Sequence, residues 1–326
     1  MEHGRGLGVA GGGATSDSEG FVSALMTLGW QVRGCEGEVL RHSRFRPVFR
    51  YRVDGDDGTG RSAVSRILIG KADYRHGGAS TFAFMQRLRE AGLRSDGEWA
   101  IPEPIAYLDD LALLVQTEAP GRCLYEWLVT PRSPLDPARD AGRWLGHLHG
   151  TELATGDGAL PSGFESRKLG GYCTELGEVL PGQAERIESI TGATLAALAP
   201  LEGEGLVPTH GDYQPKNIYV DGSKVTVIDW DRGALGLPAR DVGHFVGQCL
   251  TMSYSKTGSF TWGRRWNDAF LGGYAETASA TEPAGLGPYV ARTLLEILYY
   301  KLVVKPVSDA SFVPTWLDQI DEALAA

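Results

Sequence analysis

The sequence predicts an α+β protein of two lobes, a small lobe rich in strands followed by a larger, mainly helical lobe. Through residue 117, short apolar and β-branched runs occur in the order strand, strand, strand, helix, strand, strand. From Tyr125 onward, apolar residues recur at helical spacing instead. We interpret residues 118–121, where the pattern changes, as the hinge between a first lobe at 19–118 and a second at 119–326.

The first lobe is predicted to begin after a disordered tail. Residues 1–18 are rich in glycine and poor in large apolar side chains, so burial cannot offset the entropy of ordering them. A short amphipathic helix follows at residues 21–26. Helical spacing returns between residues 82 and 88, and Gly92 marks the end of that helix. Strands are predicted at residues 38–40, 47–53, 65–69, 105–108 and 111–117.

The second lobe is predicted to consist of helices around one hairpin. Asp136 and Pro137 supply the cap and first position of a helix that runs to Leu148. The runs 218–220 and 225–228 are β-branched and apolar, and Asp221-Gly222 between them is a hairpin-turn signal. Further helices are predicted at residues 184–198, 242–252, 264–277, 287–303 and 315–324.

Composition excludes several function classes. The chain has 326 residues and a net charge of −10, whereas a nucleic-acid binder needs a basic face. No apolar run reaches the roughly 18 residues of a membrane helix, and the N-terminus does not resemble a signal peptide. The cysteines are far apart in sequence, which is typical of reduced thiols. We therefore expect a cytoplasmic monomer or homodimer without nucleic-acid or membrane partners.

The hairpin is flanked by polar residues that suggest a reactive site. Asp212 and Asn217 precede its first strand, and Asp229 follows its second strand. Because a hairpin brings its own ends together, the Asn217 amide and the Asp229 carboxylate should converge, with Asp212 nearby. Such groups suit a hard cation with a base beside it. The alternative is a surface loop whose polar residues only cap turns.

This constellation resembles a known family. Its order and spacing are similar to the catalytic loop H-x-D-x-x-x-x-N of protein-kinase-like phosphotransferases, which precedes a strand ending in a metal-binding aspartate. Gly211, the Ile-Asp-Trp-Asp run at 228–231 and the segment 237–243 resemble the aminoglycoside phosphotransferase and choline kinase branch. The resemblance implies a protein-kinase-like fold with an antiparallel sheet in the small lobe. It also implies transfer of the γ-phosphoryl group of ATP or GTP to a small-molecule hydroxyl.

The resemblance assigns roles around the hairpin. Asp212 would accept or orient the proton of the acceptor hydroxyl, and Asn217 and Asp229 would bind Mg²⁺. His210 and Asp241 would support the catalytic loop.

The resemblance also assigns a nucleotide site. Lys71 ends a predicted strand where the family places a lysine that reaches the α and β phosphates. The segment 116–121 resembles the hinge that recognises adenine, with a carbonyl from Thr117, an amide from Ala119 and Gln116 at the back. The other nucleotide-binding candidates are Glu118 and, in a loop without glycine, Ser43 and Arg44.

Two positions depart from the family pattern. The helix after Lys71 should present a glutamate, yet residues 79–81 are Ala-Ser-Thr and Glu90 lies near the helix end. The phosphate loop at 41–46 lacks glycine. A nucleotide-binding pseudoenzyme is therefore an alternative.

Residues 55–62 nearly match a P-loop, but a strand pattern follows them, which favours a hairpin connection.

The acceptor is defined less well. An aminoglycoside-like compound or another antibiotic or natural product is our first hypothesis, and a sugar, amino alcohol or choline-like metabolite is the alternative. In the family, acidic side chains recognise aminoglycosides and aromatic side chains enclose quaternary amines. Aromatic residues at helical spacing are also common in cores. The candidates for acceptor binding are Asp231, Tyr213, Glu175 and Trp262.

Overall fold

The computed structural model describes residues 18–57, 64–76, 78–153, 161, 163–201, 203, 205–280 and 282–326. Strands β1 to β11 are, in chain order, Gln31–Arg41, Val48–Asp56, Val64–Ala72, Trp99–Ala100, Pro104–Leu108, Leu113–Thr117, Arg122–Cys123, Val207–Thr209, Ile218–Asp221, Lys224–Val227 and Ala234–Gly236. Helices α1 to α10 are Ser18–Thr27, Ala79–Glu90, Leu124–Leu128, Asp136–His149, Phe164–Val179, Ala184–Leu198, Pro238–Thr257, Thr261–Thr277, Leu286–Tyr299 and Val313–Ala325. A short π-helical turn, Tyr300–Val304, follows α9.

The chain divides into two compact units. The first comprises Met1–Gln86 and Pro102–Glu118, and the second comprises Arg87–Ile101 and Ala119–Ala326. Residues 87–101, which the sequence placed in the first lobe, thus belong to the second unit. The reason is strand pairing within the second unit, because β4 runs parallel to β10 and Trp144 Nε1 donates a hydrogen bond to Ala100 O at 3.2 Å.

The first unit is built on a five-stranded antiparallel sheet in the order β1-β2-β3-β6-β5. Alternate residues of β2, namely Phe49, Tyr51 and Val53, are buried, as the period of two in a strand requires. Helix α1 covers this face, and its Phe21 ring stacks on Tyr51 at 3.8 Å between centroids. Their shared core also contains Leu25, Leu68 and Val115.

Two sequence-based predictions for the first unit involve residues that lie outside the part of the chain that the structure describes. The predicted tail lies outside it except for Ser18, which begins α1. Residues 58–62 of the P-loop-like segment also lie outside it. Strand β3, rather than a helix, follows that segment and pairs antiparallel with β2.

The second unit is mainly helical. It also contains a four-stranded sheet in the order β4-β10-β9-β7 and the pair β11-β8, which pack against the helices α3, α4 and α7. Helices α4 and α8 approach each other so closely that a Cβ atom at Gly142 would collide with Phe270 O, and one at Gly273 would collide with Arg139 O. Within the described residues, no helix combines the length and apolarity that crossing a membrane requires.

Most predicted helices of the second unit are present with shifted ends, but α5 was missed. Gly170 and Gly171 interrupt its apolar period, and only Leu169 and Leu176 among its apolar side chains are fully covered. Most of its remaining side chains are polar, and several of them contact α9. The missed helix therefore contributes polar side chains as well as the two core residues Leu169 and Leu176.

Candidate active site

The β9–β10 hairpin determines the position of the candidate catalytic residues. Pro215–Asn217 forms one 3₁₀ turn that leads directly into β9. The antiparallel pairing continues past the strand ends, because Ile228 N donates a hydrogen bond to Asn217 O at 2.9 Å. Asp229 is the next residue after Ile228. The hairpin therefore brings Asn217 and Asp229 together, as the sequence led us to expect.

Asn217 is oriented by its contacts with Asp212. Its Nδ2 atom donates to Asp212 O at 3.0 Å and to Asp212 Oδ2 at 3.2 Å. Because both partners are acceptors, the atom that faces them must be the amide nitrogen. The amide oxygen Oδ1 consequently points away from Asp212 and is the atom of this side chain that can coordinate a cation.

Asp212 is a half-buried carboxylate with three hydrogen-bond donors. Gln214 Nε2 lies 3.0 Å and His244 Nε2 2.9 Å from its Oδ1 atom, and Asn217 contacts Oδ2. Burial on its own raises the pKa of Asp212, but the hydrogen bond from His244 and the charge of Arg232 more than offset it, so the pKa lies well below its ordinary value. Asp212 is therefore ionised at neutral pH and accepts hydrogen bonds.

His210 supports the loop in its neutral form. Asp212 N donates to His210 Nδ1 at 3.2 Å, so the hydrogen of the ring is on Nε2, which donates to Ile228 O at 2.8 Å. Burial lowers the pKa of His210 despite the surrounding carboxylates. The ring thus links the loop that carries Asp212 to the end of β10.

Asp241 holds the backbone of the same loop. Its carboxylate accepts from His210 N at 2.6 Å and from Gly211 N at 2.7 Å, and His149 Nε2 lies 3.5 Å away. Asp241 is fully buried. Burial raises its pKa, but His149, together with other nearby positive charge, offsets this and leaves the pKa below its ordinary value.

Gly211 is required by the turn that these hydrogen bonds form. Its φ angle is +77°, and a Cβ atom there would collide with Arg232 O. The glycine after His210 is thus explained by backbone geometry.

Asp229 adopts a left-handed backbone conformation, with φ 72° and ψ 57°. A non-glycine residue in this region is uncommon and persists only where its surroundings enforce it. Trp230 supplies that constraint, because its side chain is buried and Nε1 donates to Val227 O at 3.0 Å. The half-buried Asp229 and the Asn217 amide oxygen together offer two oxygen donors, which fits the way proteins hold Mg²⁺ with phosphates and water.

The structure contradicts one acceptor-binding candidate. Tyr213 is fully buried, and its hydroxyl donates to Ala141 O at 2.7 Å. It packs against Trp144 and Phe245 in the core. The expectation that Tyr213 contacts an acceptor is therefore wrong, because its side chain turns inward from the loop that carries Asp212.

The other three acceptor-binding candidates lie at separate places. Asp231 is exposed in the turn after Asp229. Trp262 is on α8, where Nε1 donates to Leu128 O at 2.6 Å. Glu175 is exposed on α5 and accepts a hydrogen bond from Tyr299 at 3.2 Å.

The nucleotide-binding candidates belong mostly to the first unit. Lys71 lies in β3, paired with Val48 and Leu114. Gln116 is buried in β6, and Glu118 forms an ion pair with Arg50 at 3.0 Å. Three further candidates also belong to the first unit. Ser43 Oγ accepts a hydrogen bond from Arg46 N, Arg44 lies over the Phe45 ring, and Thr117 Oγ1 accepts from Glu103 N. Ala119 begins the main segment of the second unit.

The departure that the sequence indicated near Lys71 is present in the structure. The first turn of α2 has no acidic residue, and Glu90 is the last residue of this helix. The family glutamate thus has no counterpart in the first turn of α2.

Sequence reasoning missed a group of polar and charged residues around Asp212. His244 on α7 contacts Asp212 directly, and Arg232 Nη1 lies 3.9 Å from Asp212 Oδ1 and 3.6 Å from Glu296 Oε1. Lys168 on α5 binds Glu296 on α9 at 2.7 Å. These residues are separated by up to 128 positions in the chain, so no local pattern joins them. The available signal was polar residues repeating at helical spacing within α5 and α9.

Comparison with known proteins identifies the class to which the chain belongs. The sequence matches the model of a phosphotransferase enzyme family, APH, over residues 50–289. This match covers most of the chain, and the protein is a member of that family. Among curated proteins, no sequence matches significantly.

Solved structures share the fold at low sequence identity. An amicoumacin kinase in complex with AMP-PNP and Ca²⁺ is 15% identical, with a TM-score of 0.63 and 94% of each chain covered. A spectinomycin phosphotransferase in complex with ADP and spectinomycin is 12% identical, with a TM-score of 0.59 and coverage of 94% of this chain and 97% of that one. A choline/ethanolamine kinase family protein from Mesorhizobium loti is 17% identical, with a TM-score of 0.59 and coverage of 94% and 95%. The predicted two-lobe, protein-kinase-like α+β fold is confirmed.

Proposed function

We propose that this protein transfers the γ-phosphoryl group of ATP or GTP to a hydroxyl of a small molecule, with an antibiotic or another natural product as the acceptor class. The observation that carries the proposal is the contact of Asn217 Nδ2 with Asp212, which turns the Asn217 amide oxygen away from that carboxylate. The hydrogen bond from Ile228 N to Asn217 O places Asp229 next to Asn217. Neither a turn cap nor a scaffold requires this combination.

The reaction follows from the chemistry of these groups. The acceptor hydroxyl donates a hydrogen bond to the Asp212 carboxylate, which orients its oxygen toward the γ phosphorus. A bond forms between that oxygen and phosphorus, while the bond from phosphorus to the bridging oxygen of the nucleotide breaks. The hydroxyl proton passes to Asp212, and the nucleoside diphosphate is the leaving group. Because the pKa of Asp212 is low, its main contribution is orientation, with proton uptake late in the step.

Metal and nucleotide are assigned to the remaining candidates. Asn217 and Asp229 would hold Mg²⁺, which supplies positive charge against the charge of the transferring group. Lys71 would bind phosphate oxygens, with Ser43 and Arg44 replacing a glycine loop. The hinge residues 116–119 would recognise the base.

A metabolic kinase is the second candidate function. A glucosamine kinase, 16% identical with a TM-score of 0.53, is among the structural neighbours, as is the choline/ethanolamine kinase family protein. A sugar or amino alcohol acceptor is therefore tested beside antibiotics. An acceptor screen with coupled detection of ADP separates the two candidates by which compounds accelerate turnover.

We expect the metal-dependent part of nucleotide binding to depend on Asp229. ATP with Mg²⁺ at about one hundred times its Kd should stabilise the wild-type protein by about 2.7 kcal/mol. Asp229→Asn should lose most of the increase in Tm that Mg²⁺ adds to ATP alone, because an amide is a weaker ligand than a carboxylate. Thermal denaturation with ATP, with Mg²⁺ and with both measures this.

Asp221→Asn is the matched control for that measurement. Asp221 is an exposed carboxylate at the opposite end of the same hairpin. An equal Mg²⁺-dependent rise in the Tm of Asp229→Asn and Asp221→Asn would contradict the metal assignment.

A further inference from the structure

Helices α5 and α9 contact each other through polar side chains that lie on one face of each helix. Lys168, Tyr172 and Glu175 lie on α5, and Arg292, Glu296 and Tyr299 occupy the same spacing on α9. Lys168 Nζ contacts Glu296 Oε1 at 2.7 Å, and the rings of Tyr172 and Tyr299 stack at 4.2 Å. We call Lys168, Tyr172, Arg232 and Glu296 the polar seam.

Within the polar seam, Arg232 lies between Glu296 and the carboxylate of Asp212. Its Nη1 atom lies 3.6 Å from Glu296 Oε1 and 3.9 Å from Asp212 Oδ1. Both distances are longer than a hydrogen bond. Within the residues that the structure describes, the Arg232 side chain donates no hydrogen bond within 3.5 Å. Its guanidinium donors are therefore available to a ligand next to Asp212.

The cations of the polar seam are more accessible than its carboxylate. The side chain of Arg232 is 49% exposed and that of Lys168 is 21% exposed, whereas that of Glu296 is 14% exposed. Buried Arg292 already binds Glu296 at 2.6 Å and also binds Glu165 at 2.9 Å. Three basic side chains thus contact the Glu296 carboxylate, and the two that a ligand can reach are Lys168 and Arg232.

We propose that Lys168 and Arg232 bind an anionic group of the acceptor, a carboxylate or a phosphate, and so hold its hydroxyl at Asp212. This inference rests on the proposed function and narrows its acceptor class. A polycationic acceptor is disfavoured, because an ammonium group near the reacting hydroxyl would meet Arg232 and Lys168. The stacked Tyr172 and Tyr299 rings form an apolar wall beside Lys168, whose Nζ lies 5.8 Å from the Tyr172 ring centroid.

Anion binding should weaken at alkaline pH because of Lys168. Burial, together with Arg292 and Arg232, lowers the pKa of Lys168 from 10.5 to about 8, although Glu296 raises it. The cation is present below that pH and is lost as pH rises through it, so the Kd for an anion should increase above pH 8. A bound anion raises the pKa and moves the change upward. The charged and titratable groups that face Lys168 or its partner are Glu296 and Arg292 from α9, Tyr172 from α5, Arg232 from the turn after Asp229, and His244 from α7.

The first experiment measures binding of three probes with one carbon skeleton to the metal-free protein. Glycerate carries a carboxylate, glycerol phosphate carries a phosphate, and glycerol carries no charge. By isothermal titration calorimetry, we expect at least one anion to bind about tenfold more tightly than glycerol, which is about 1.4 kcal/mol. The Lys168→Gln, Arg232→Gln double variant should lose this preference. The comparison of the two anions shows which group the polar seam takes.

Two single variants serve as matched controls. Arg167→Gln removes an exposed cation one position away on α5, outside the polar seam, and should keep the preference. Lys168→Arg should keep it above pH 8, because arginine stays protonated there. Anions that bind no better than glycerol, or that bind the double variant equally well, would overturn the inference.

The second experiment uses turnover and separates this inference from the proposed function. Among acceptors found by screening, anionic compounds should have the highest kcat/KM, and the double variant should raise their KM at least tenfold without changing KM for ATP. Preferred turnover of cationic or neutral acceptors would overturn the inference while leaving phosphoryl transfer intact. If Arg232→Gln lowered kcat equally for every acceptor, Arg232 would act on the transferring phosphoryl group, and its assignment here would be wrong.

Discussion

Asp212→Asn is expected to lower kcat by about 10²- to 10⁴-fold, the usual contribution of a positioned catalytic base. The substitution preserves size but removes the charge that orients the acceptor hydroxyl and receives its proton. It also places an amide among three donors, from Gln214, Asn217 and His244. KM for the nucleotide should change little, because Asp212 is assigned no contact with it. Steady-state kinetics with a screened acceptor measures both parameters.

Asp221→Asn is again the matched control, since it removes an exposed carboxylate from the far end of the same hairpin. It should leave kcat within about twofold of wild type, as surface substitutions away from a site usually do. Turnover by Asp212→Asn within tenfold of wild type, with an unchanged Tm, would contradict the role of Asp212.

Asp241→Ala is expected to lower the free energy of unfolding by about 3–5 kcal/mol, the cost of removing one partner from a buried charged network. It leaves His210 N and Gly211 N without their acceptor in a fully buried position. Because these amides belong to the loop that carries Asp212, kcat should fall as well, even at temperatures where the variant remains folded. Urea denaturation followed by circular dichroism gives the change in stability.

Two variants make that measurement specific. Asp241→Asn keeps one acceptor oxygen and should cost less than Asp241→Ala. Asp268→Ala removes an exposed carboxylate from α8 and should change stability by about 0.5 kcal/mol or less. If the two alanine variants were equally stable, the hydrogen bonds of Asp241 would contribute nothing to the fold.

The hairpin could be predicted from sequence because its signals are local. Two β-branched runs flank an Asp-Gly turn, and a hairpin brings its ends together whatever the rest of the chain does. Asn217 and Asp229 follow from that geometry, and Gly211 marks the positive φ angle between His210 and Asp212. The switch from strands to helices near residue 118 is equally local, although the pairing of β4 with β10 moved residues 87–101 to the second unit.

The polar seam could not be predicted, because its contacts join residues far apart in the chain. Lys168 and Glu296 are polar residues on two helices, and nothing in either sequence indicates that the helices face each other. Helix α5 itself was missed because two adjacent glycines weaken its pattern. The prediction that Tyr213 contacts an acceptor was wrong for a different reason. Its position beside Asp212 in sequence does not reveal that its ring turns into the core.

The role of Asp212 in phosphoryl transfer to an acceptor hydroxyl is tested most directly with ATP labelled in its γ-phosphate and a library of small hydroxyl compounds grouped by charge. Wild type and Asp221→Asn are expected to form a labelled phosphate ester with at least one acceptor, while Asp212→Asn forms less than about 1% as much in the same time. Equal labelling by Asp212→Asn would contradict the mechanism. Absence of any labelled ester from a protein that ATP and Mg²⁺ stabilise would indicate a nucleotide-binding pseudoenzyme and contradict the proposed function.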